Sequence, residues 1–212
     1  MLALDLPVET PTTPQDVAEL IARGRPLEII GGGTKRGIGA VGGAKAVLSL
    51  AKLDMVVDYQ PEELVLTVQP GVKLATLEKL VAAEGQMLPF EPPKLTRLLG
   101  AKGQPTIGGV IAAGVSGPRR IRSGAARDHV LGISAVTGRG EIVKAGGKVV
   151  KNVTGYDLSK LMAGSWGTLA VLTEVTVKVL PAPKTETTLL LFGLSEERAS
   201  LAMQRAMNAP VE

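Results

Sequence analysis

Ile29-Ile30-Gly31-Gly32-Gly33-Thr34-Lys35-Arg36 is a β-rich run that enters three consecutive glycines and leaves on a threonine and two cations. Glycine adopts φ > 0 without the roughly 1–2 kcal/mol cost of an L side chain, and successive N–H groups in such a turn converge on an anion. A diphosphate suits that arrangement; a flexible surface turn is the other reading of the stretch taken alone. The glycines that follow, Gly37, Gly39 and Gly42, spell a literal G-x-G-x-x-G with Asp58 at the end of a later strand. A dinucleotide fingerprint lies between a strand and the helix it opens, whereas residues 40–53 read as a glycine turn and a short strand, so the match is accidental.

A second glycine run is Thr106-Ile107-Gly108-Gly109-Val110-Ile111-Ala112-Ala113-Gly114, which bears only small residues where a helix opens. It reads either as a second cradle or as close helix packing. Two cradles in one domain suit a long ligand with a diphosphate in its middle, and FAD is such a ligand.

The surrounding periodicity predicts a scaffold. Thr13-Pro14-Gln15-Asp16 opens a helix in which Thr13 caps, Pro14 occupies the first turn and Asp16 lies near the positive end of the dipole. Val17, Leu20 and Ile21 form its apolar stripe before Gly24. Strands are expected over residues 27–30, 46–50, 55–59 and 64–69, the last with Leu64, Leu66 and Val68 on one face. Pro70-Gly71 turns into a helix over 74–83, where Leu74, Leu77 and Val81 recur at helical spacing. Residues 89–132 are Pro/Gly-rich and irregular, with a short helix near Ile107, and suggest a site.

A hairpin is expected over 132–144 around Thr137-Gly138-Arg139-Gly140, and a helix over 156–163. The clearest strand covers 168–179, with Leu169, Val171, Val175, Val177 and Val179 on one face and Glu174 and Lys178 on the other. Beyond Pro181-Ala182-Pro183, a strand over 187–192 and a capped helix over 195–207 read as the start of a second domain cut short. The fold class is therefore α+β, with two sub-lobes over residues 1–181 and the first elements of a truncated cap over 182–212.

Composition narrows the chemistry. The 212 residues include no cysteine and one histidine, which removes disulfides, thiolate catalysis, cysteine-ligated clusters and histidine metal sites. Redox chemistry must then come from an organic cofactor, and no metal is expected. A net charge of +4 is dispersed, and with only five aromatic residues nucleic acid is not the expected partner. No run approaches the roughly 20 apolar residues of a membrane span, and no signal peptide is evident, so a cytoplasmic chain is expected, with membrane contact only through partners.

Other polar groups are less telling. Pro118-Arg119-Arg120-Ile121-Arg122, with Arg127, reads as a solvated basic loop, a diphosphate neutraliser or a partner contact. His129 lacks a serine nucleophile motif and reads as structural. Asn152, Tyr156 and Asp157 precede a helix, where capping explains them.

Gly31-Gly32-Gly33-Thr34, Val68-Gln69-Pro70-Gly71-Val72, Thr106-Ile107-Gly108-Gly109 and Gly167-Thr168-Leu169 follow the order and spacing of the vanillyl-alcohol-oxidase-type, or PCMH-type, FAD-binding domain. The chain resembles that family over nearly all of residues 6–181. Within it, the runs 112–120 and 151–165 resemble the FAD-binding E subunit of bacterial glycolate oxidase. The resemblance implies that Gly31, Gly32, Gly33, Thr34 and Lys35 wrap the diphosphate. It implies that Pro105, Thr106, Ile107, Gly108 and Gly109, with Ala112, Ala113, Gly114 and Gly117, line diphosphate and isoalloxazine. Gly167, Thr168, Leu169 and Val171 would meet the adenine side or the ring edge, and Pro70, Gly71, Gly124 and Asp128 complete the implied cofactor set.

No histidine or cysteine stands in the first glycine loop to tether the flavin, which implies non-covalent FAD. The resemblance further implies a complex that oxidises glycolate to glyoxylate, with a second flavin subunit and an iron–sulfur subunit as partners. Relatives continue into a cap that supplies substrate contacts, so the isolated chain is expected to show no turnover, and no catalytic residue is assigned. The alternatives are a dehydrogenase of another 2-hydroxy acid and an assembly subunit with a vestigial flavin site.

Overall fold

The computed structural model describes residues 6–39, 42–147 and 156–209. Helix α1 (Pro14–Ala22) starts as its sequence dictates. The Thr13 hydroxyl accepts from the Asp16 N–H at 3.1 Å, and the Asp16 carboxylate accepts from the Thr13 N–H at 3.0 Å. Hydrogen bonds from Thr12 and Thr13 hold that carboxyl down at about 2. Val17 and Leu20 are buried, Ile21 packs at the edge of the same cluster, and Gly24 at φ +68° releases the chain.

Strands β1 (Val8–Glu9), β2 (Leu27–Ile30) and β3 (Ala46–Ser49) form a parallel sheet in the order β1-β3-β2. Strands β4 (Val56–Gln60) and β5 (Val65–Val68) begin a second, antiparallel sheet. Helix α2 (Leu74–Ala83) buries Leu74, Leu77 and Val81, the predicted stripe, and β6 (Gln86–Met87) follows. The irregular middle contains α3 (Ile107–Ala113) and a helical turn α4 (Arg120–Ser123), then a 3₁₀ turn over Ala126–His129.

The expected hairpin is β7 (Val130–Thr137) against β8 (Ile142–Gly146). Helix α5 (Leu158–Met162) is capped by Asp157, whose carboxylate accepts from the Lys160 N–H at 3.1 Å. Strand β9 (Ala170–Lys178) completes a five-stranded sheet in the order β4-β5-β9-β7-β8, and β10 (Leu180–Pro181) pairs with β6.

Two cores follow from the three-stranded and five-stranded sheets. One face of the five-stranded sheet packs on α2 and α3 through Leu66, Val68, Leu77, Ile107, Val110, Val175 and Val177. The second core joins α1 and the parallel sheet to Val136 and Val171. The α+β expectation with two sub-lobes is thus met. The single apolar face expected along β9 is not. Ser134 pairs with Glu174 but Ala135 pairs with Leu172, so Thr173 is an extra residue on β9. The bulge inverts the alternation: Leu172 joins Val175 in the first core, Val171 turns to the second, and Leu169 is half-exposed.

By contact density the chain divides into two compact units, Met1–Ala182 and Pro183–Glu212. The second contains α6 (Glu196–Asn208), capped by Ser195 as expected. The strand expected over 187–192 does not form, and Leu189, Leu190, Leu191 and Phe192 are exposed. An isolated β segment has no acceptors for its backbone, and among the described residues no strand pairs with this one. No helix among the described residues is long and apolar enough to cross a membrane.

Candidate functional site: a glycine-lined cleft

Pairing of β2 with β3 ends at Ile30, opposite Ser49, and the three glycines begin there. Gly33 sits at φ +67°, where a side chain would be strained. Gly31 and Gly32 are glycines for another reason. A Cβ on Gly31 would overlap the Thr106 hydroxyl, a Cβ on Gly32 the Gln104 carbonyl oxygen, and a Cβ on Gly103 the Gly32 carbonyl oxygen. The first glycine run is therefore braced against residues 103–106, which lead into the second. Among the described residues, the N–H groups of Gly32, Gly33 and Thr34 have no protein acceptor.

The second run differs from the open cradle expected of a helix start. The Ile107 N–H donates to the Val72 carbonyl at 3.0 Å, the Gly108 N–H to Pro70 at 2.9 Å, and the Gly109 N–H to the Thr106 hydroxyl at 3.3 Å. The first donors of α3 are thus consumed internally. Gly108 is small because Pro70 lies where its Cβ would be. What this run offers is a bare wall, not an anion nest.

A cleft of about 800 Å³ opens over these elements, within the roughly 300–1,000 Å³ of small-molecule sites. Of the residues assigned by resemblance, Gly31, Gly32, Gly33, Thr34, Lys35, Thr106, Gly109, Ala112, Ala113, Gly167 and Thr168 line it. A recess of about 50 Å³ continues from it through Ile29, Gly31, Gly109, Ala112, Trp166 and Gly167, and Pro70, Gly108 and Val171 line that recess.

The remaining assigned residues line neither. Gly71 lies against the Leu50 and Leu53 carbonyls, and the Pro105 carbonyl accepts from the Leu74 N–H. Ile107 is core, and Gly114 ends α3 in the left-handed region against Gly164. The Gly117 N–H donates to Phe90, and Gly124 at φ +89° packs on Asp128, whose carboxylate accepts from the Ala125 N–H. Leu169 lies outside both cavities. Of the polar group Asn152, Tyr156 and Asp157, Asn152 lies outside the described residues, Tyr156 is exposed and Asp157 serves as a cap.

Lys35 and Arg36 bring the cleft its positive charge, and they differ. Arg36 is engaged by Glu28, with Nε donating at 2.7 Å and Nη2 at 2.6 Å, which raises its pKa. Lys35 is half-buried without a carboxylate partner among the described residues, and burial lowers its pKa. A desolvated ammonium beside three open N–H donors is a site for an anion.

Sequence reasoning missed Glu28 and Ile38 on the cleft, and above all Trp166. The chain's single tryptophan is 46% exposed, holds φ at +56°, and donates its backbone N–H to the Ala112 carbonyl at 2.8 Å. Such a backbone costs a bulky residue about 1–3 kcal/mol and clusters at functional sites. Its setting in Gly164-Ser165-Trp166-Gly167 was the available signal.

His129 lies outside the cleft, buried, with Nε2–H donating to the Ser123 carbonyl at 2.6 Å and Nδ1 without a partner among the described residues. Burial lowers its pKa from the ordinary 6.5, so the folded state binds this proton less readily than the unfolded chain. Its contribution to stability is fully present above about pH 6.5 and is lost as pH falls below that value. The melting temperature is expected to drop between about pH 7.5 and about pH 5.5, and His129→Gln is expected to remove most of that drop. An unchanged slope in the variant would assign the effect to other groups.

Residues 7–146 match the family profile described as "FAD binding domain". The chain belongs to the FAD-binding domain family. It is 45% identical over 157 residues to the glycolate oxidase subunit GlcE of Escherichia coli, covering 74% of this chain and 41% of that protein. It is 38% identical over 144 residues to the glycolate oxidase subunit GlcD of Bacillus subtilis, covering 68% and 29%. Identity to a D-lactate dehydrogenase of Anaerostipes hadrus is 37% over 158 residues, covering 72% and 32%. The chain thus spans well under half the length of these relatives.

Among solved structures, an alkyldihydroxyacetonephosphate synthase shares the fold with a TM-score of 0.65 at 22% identity, over 84% of this chain and 32% of that one. The PCMH-type fold and FAD as cofactor follow from the family, and the open donors beside Lys35 fit a dinucleotide's diphosphate. Among the described residues no cluster of His, Cys, Asp or Glu could hold a metal.

Proposed function

We propose that this FAD-binding domain holds FAD non-covalently as the flavin-binding part of a complex that oxidises glycolate to glyoxylate. The observation that carries the reading is the conjunction on one cleft of the Gly32, Gly33 and Thr34 N–H groups, without a protein acceptor among the described residues, with Lys35, which has no carboxylate partner among them. In this reading those groups take the diphosphate. Gly31, Thr106, Gly109, Ala112, Ala113, Gly167 and Thr168 shape the walls along the nucleotide, and Pro70, Gly108 and Val171 line the recess. Gly71, Pro105, Ile107, Gly114, Gly117, Gly124, Leu169 and Asp128 act from behind by fixing loops. Bound FAD would supply the two-electron acceptor, while this chain's residues bind and orient it.

Glycolate as substrate is supported by the two glycolate oxidase subunits among the relatives, one at 45% identity. A second flavin subunit and an iron–sulfur subunit are the proposed partners, since this chain has no cysteine to ligate a cluster. Cytoplasmic residence, with membrane contact through those partners, belongs to the same proposal. So does the division into an FAD domain over 1–181 and the start of a cap over 182–212. Another 2-hydroxy acid is the second reading, favoured by the D-lactate dehydrogenase and by a D-2-hydroxyglutarate dehydrogenase at 32% identity. A substrate screen of the whole complex separates the two.

The purified chain is expected to show a flavin spectrum, and acid precipitation is expected to leave all the flavin in the supernatant. Flavin retained in the pellet would overturn the non-covalent assignment. A colourless chain that takes up no FAD would instead leave an assembly subunit with a vestigial site.

A further inference from the structure

We infer that Trp166 is a stacking platform for the adenine of the dinucleotide, and that it makes this site select FAD over FMN; this rests on the flavin reading above. The indole belongs to a half-exposed tryptophan that lines both the cleft and the recess. Its backbone holds φ at +56° in a turn it shares with Gly164 at +88° and Gly167 at +75°, a region that favours glycine. The Ala112 carbonyl accepts from the Trp166 backbone N–H, tying the turn, though not the indole, to α3. An exposed, strained, anchored aromatic on a ligand cleft is placed to present a π-face, and every nucleobase has a π-face to match.

The recess decides which ring of the ligand lies there. A reacting isoalloxazine needs open access, so that substrate and a base brought by a partner can come within hydrogen-bond reach of each other at the ring. The recess is lined by Ile29, Leu50, Pro70, Val171 and Leu172 among others, with no ionisable side chain among the described residues. A ring at its mouth is shielded and chemically idle, as adenine is. Gly31, shared by recess and cleft, joins this end to the open donors of Gly32, Gly33 and Thr34, the connection a ribose and diphosphate would follow.

The test uses the whole chain freed of flavin, with ADP, FMN and FAD as probes and binding measured by calorimetry. Because Trp166 is the only tryptophan, its emission reports on this turn alone. ADP, which does not absorb that emission, is expected to quench or shift it on binding. Trp166→Ala is expected to weaken ADP and FAD by the same factor, about tenfold, a loss typical of base–aromatic stacking, and to leave FMN unchanged. Trp166→Phe should retain most of the affinity, and Trp166→Gly, which relaxes the backbone, should behave as the alanine variant does.

ADP binding without any change in emission would overturn the inference, as would a loss of FMN affinity equal to that of ADP. In either case FAD still binds and the flavin reading stands. Failure of the unaltered chain to bind FAD at all would sink that reading and this inference together.

Discussion

Gly32→Leu is expected to abolish FAD binding and to lower the melting temperature together. The position of a Cβ on Gly32 coincides with the Gln104 carbonyl oxygen, which is backbone and cannot swing aside. Forcing a side chain there costs about 1–3 kcal/mol and displaces residues 103–106 from the first glycine run. The N–H groups of Gly32, Gly33 and Thr34 would then lose their common orientation. The family resemblance alone places the diphosphate against Gly32 and says nothing of a structural role for it. The brace against Gln104 makes the glycine structural first, and the ligand site depends on it.

Lys35→Ala separates the two effects. Lys35 carries no ion pair to break among the described residues, so its removal is expected to leave the melting temperature nearly unchanged. FAD affinity should fall by about ten- to a hundredfold, the loss of one charge-assisted contact of about 1.5–3 kcal/mol. A Gly32→Leu chain that binds FAD normally, or a Lys35→Ala chain with unaltered affinity, would move the diphosphate elsewhere. Added salt should weaken the unaltered chain's binding more than that of Lys35→Ala.

These two positions show what a sequence exposes and what it conceals. Local rules were legible: the Thr13–Asp16 capping box, the Leu74/Leu77/Val81 stripe and the hairpin around Gly138 depend on residues within a few positions of each other. The PCMH-type fold and its cofactor were legible through the resemblance that four glycine-containing motifs carry together, since each run alone also reads as a surface turn or as close packing. The reason for each glycine was not, because Gln104 fills the space at Gly32 and Pro70 that at Gly108, and both contacts are made across the fold. The bulge at Thr173 was hidden for a related reason. Register belongs to a pair of strands, and β9 alternates regularly until its pairing with β7 is known. Trp166 carried a readable signal, a lone aromatic among glycines, but its positive φ is a property of the turn.

The FAD-loaded chain, mixed anaerobically with glycolate, is expected to keep its flavin absorbance. Oxidising a 2-hydroxy acid requires a base for the hydroxyl proton and a cation for the carboxylate, both within reach of the reacting carbon. The cleft's cations are Lys35, proposed for the diphosphate, and Arg36, held by Glu28 through two hydrogen bonds. Its carboxylate, Glu28, is committed to that same arginine. His129 is buried away from the cleft, its proton donated to Ser123. Arg119 faces Glu91, with its guanidinium Nε 3.7 Å from Oε1 and its backbone N–H donating to Oε2 at 3.2 Å, and lines neither cavity. Neither a free base nor a free second cation is therefore found among the described residues of the cleft. Supplying the proposed partner subunits should restore bleaching, if they bring the missing groups as the proposal requires. Rapid bleaching of this chain by millimolar glycolate without partners would place a complete substrate site within its 212 residues, and would require a base that the cleft described here does not contain.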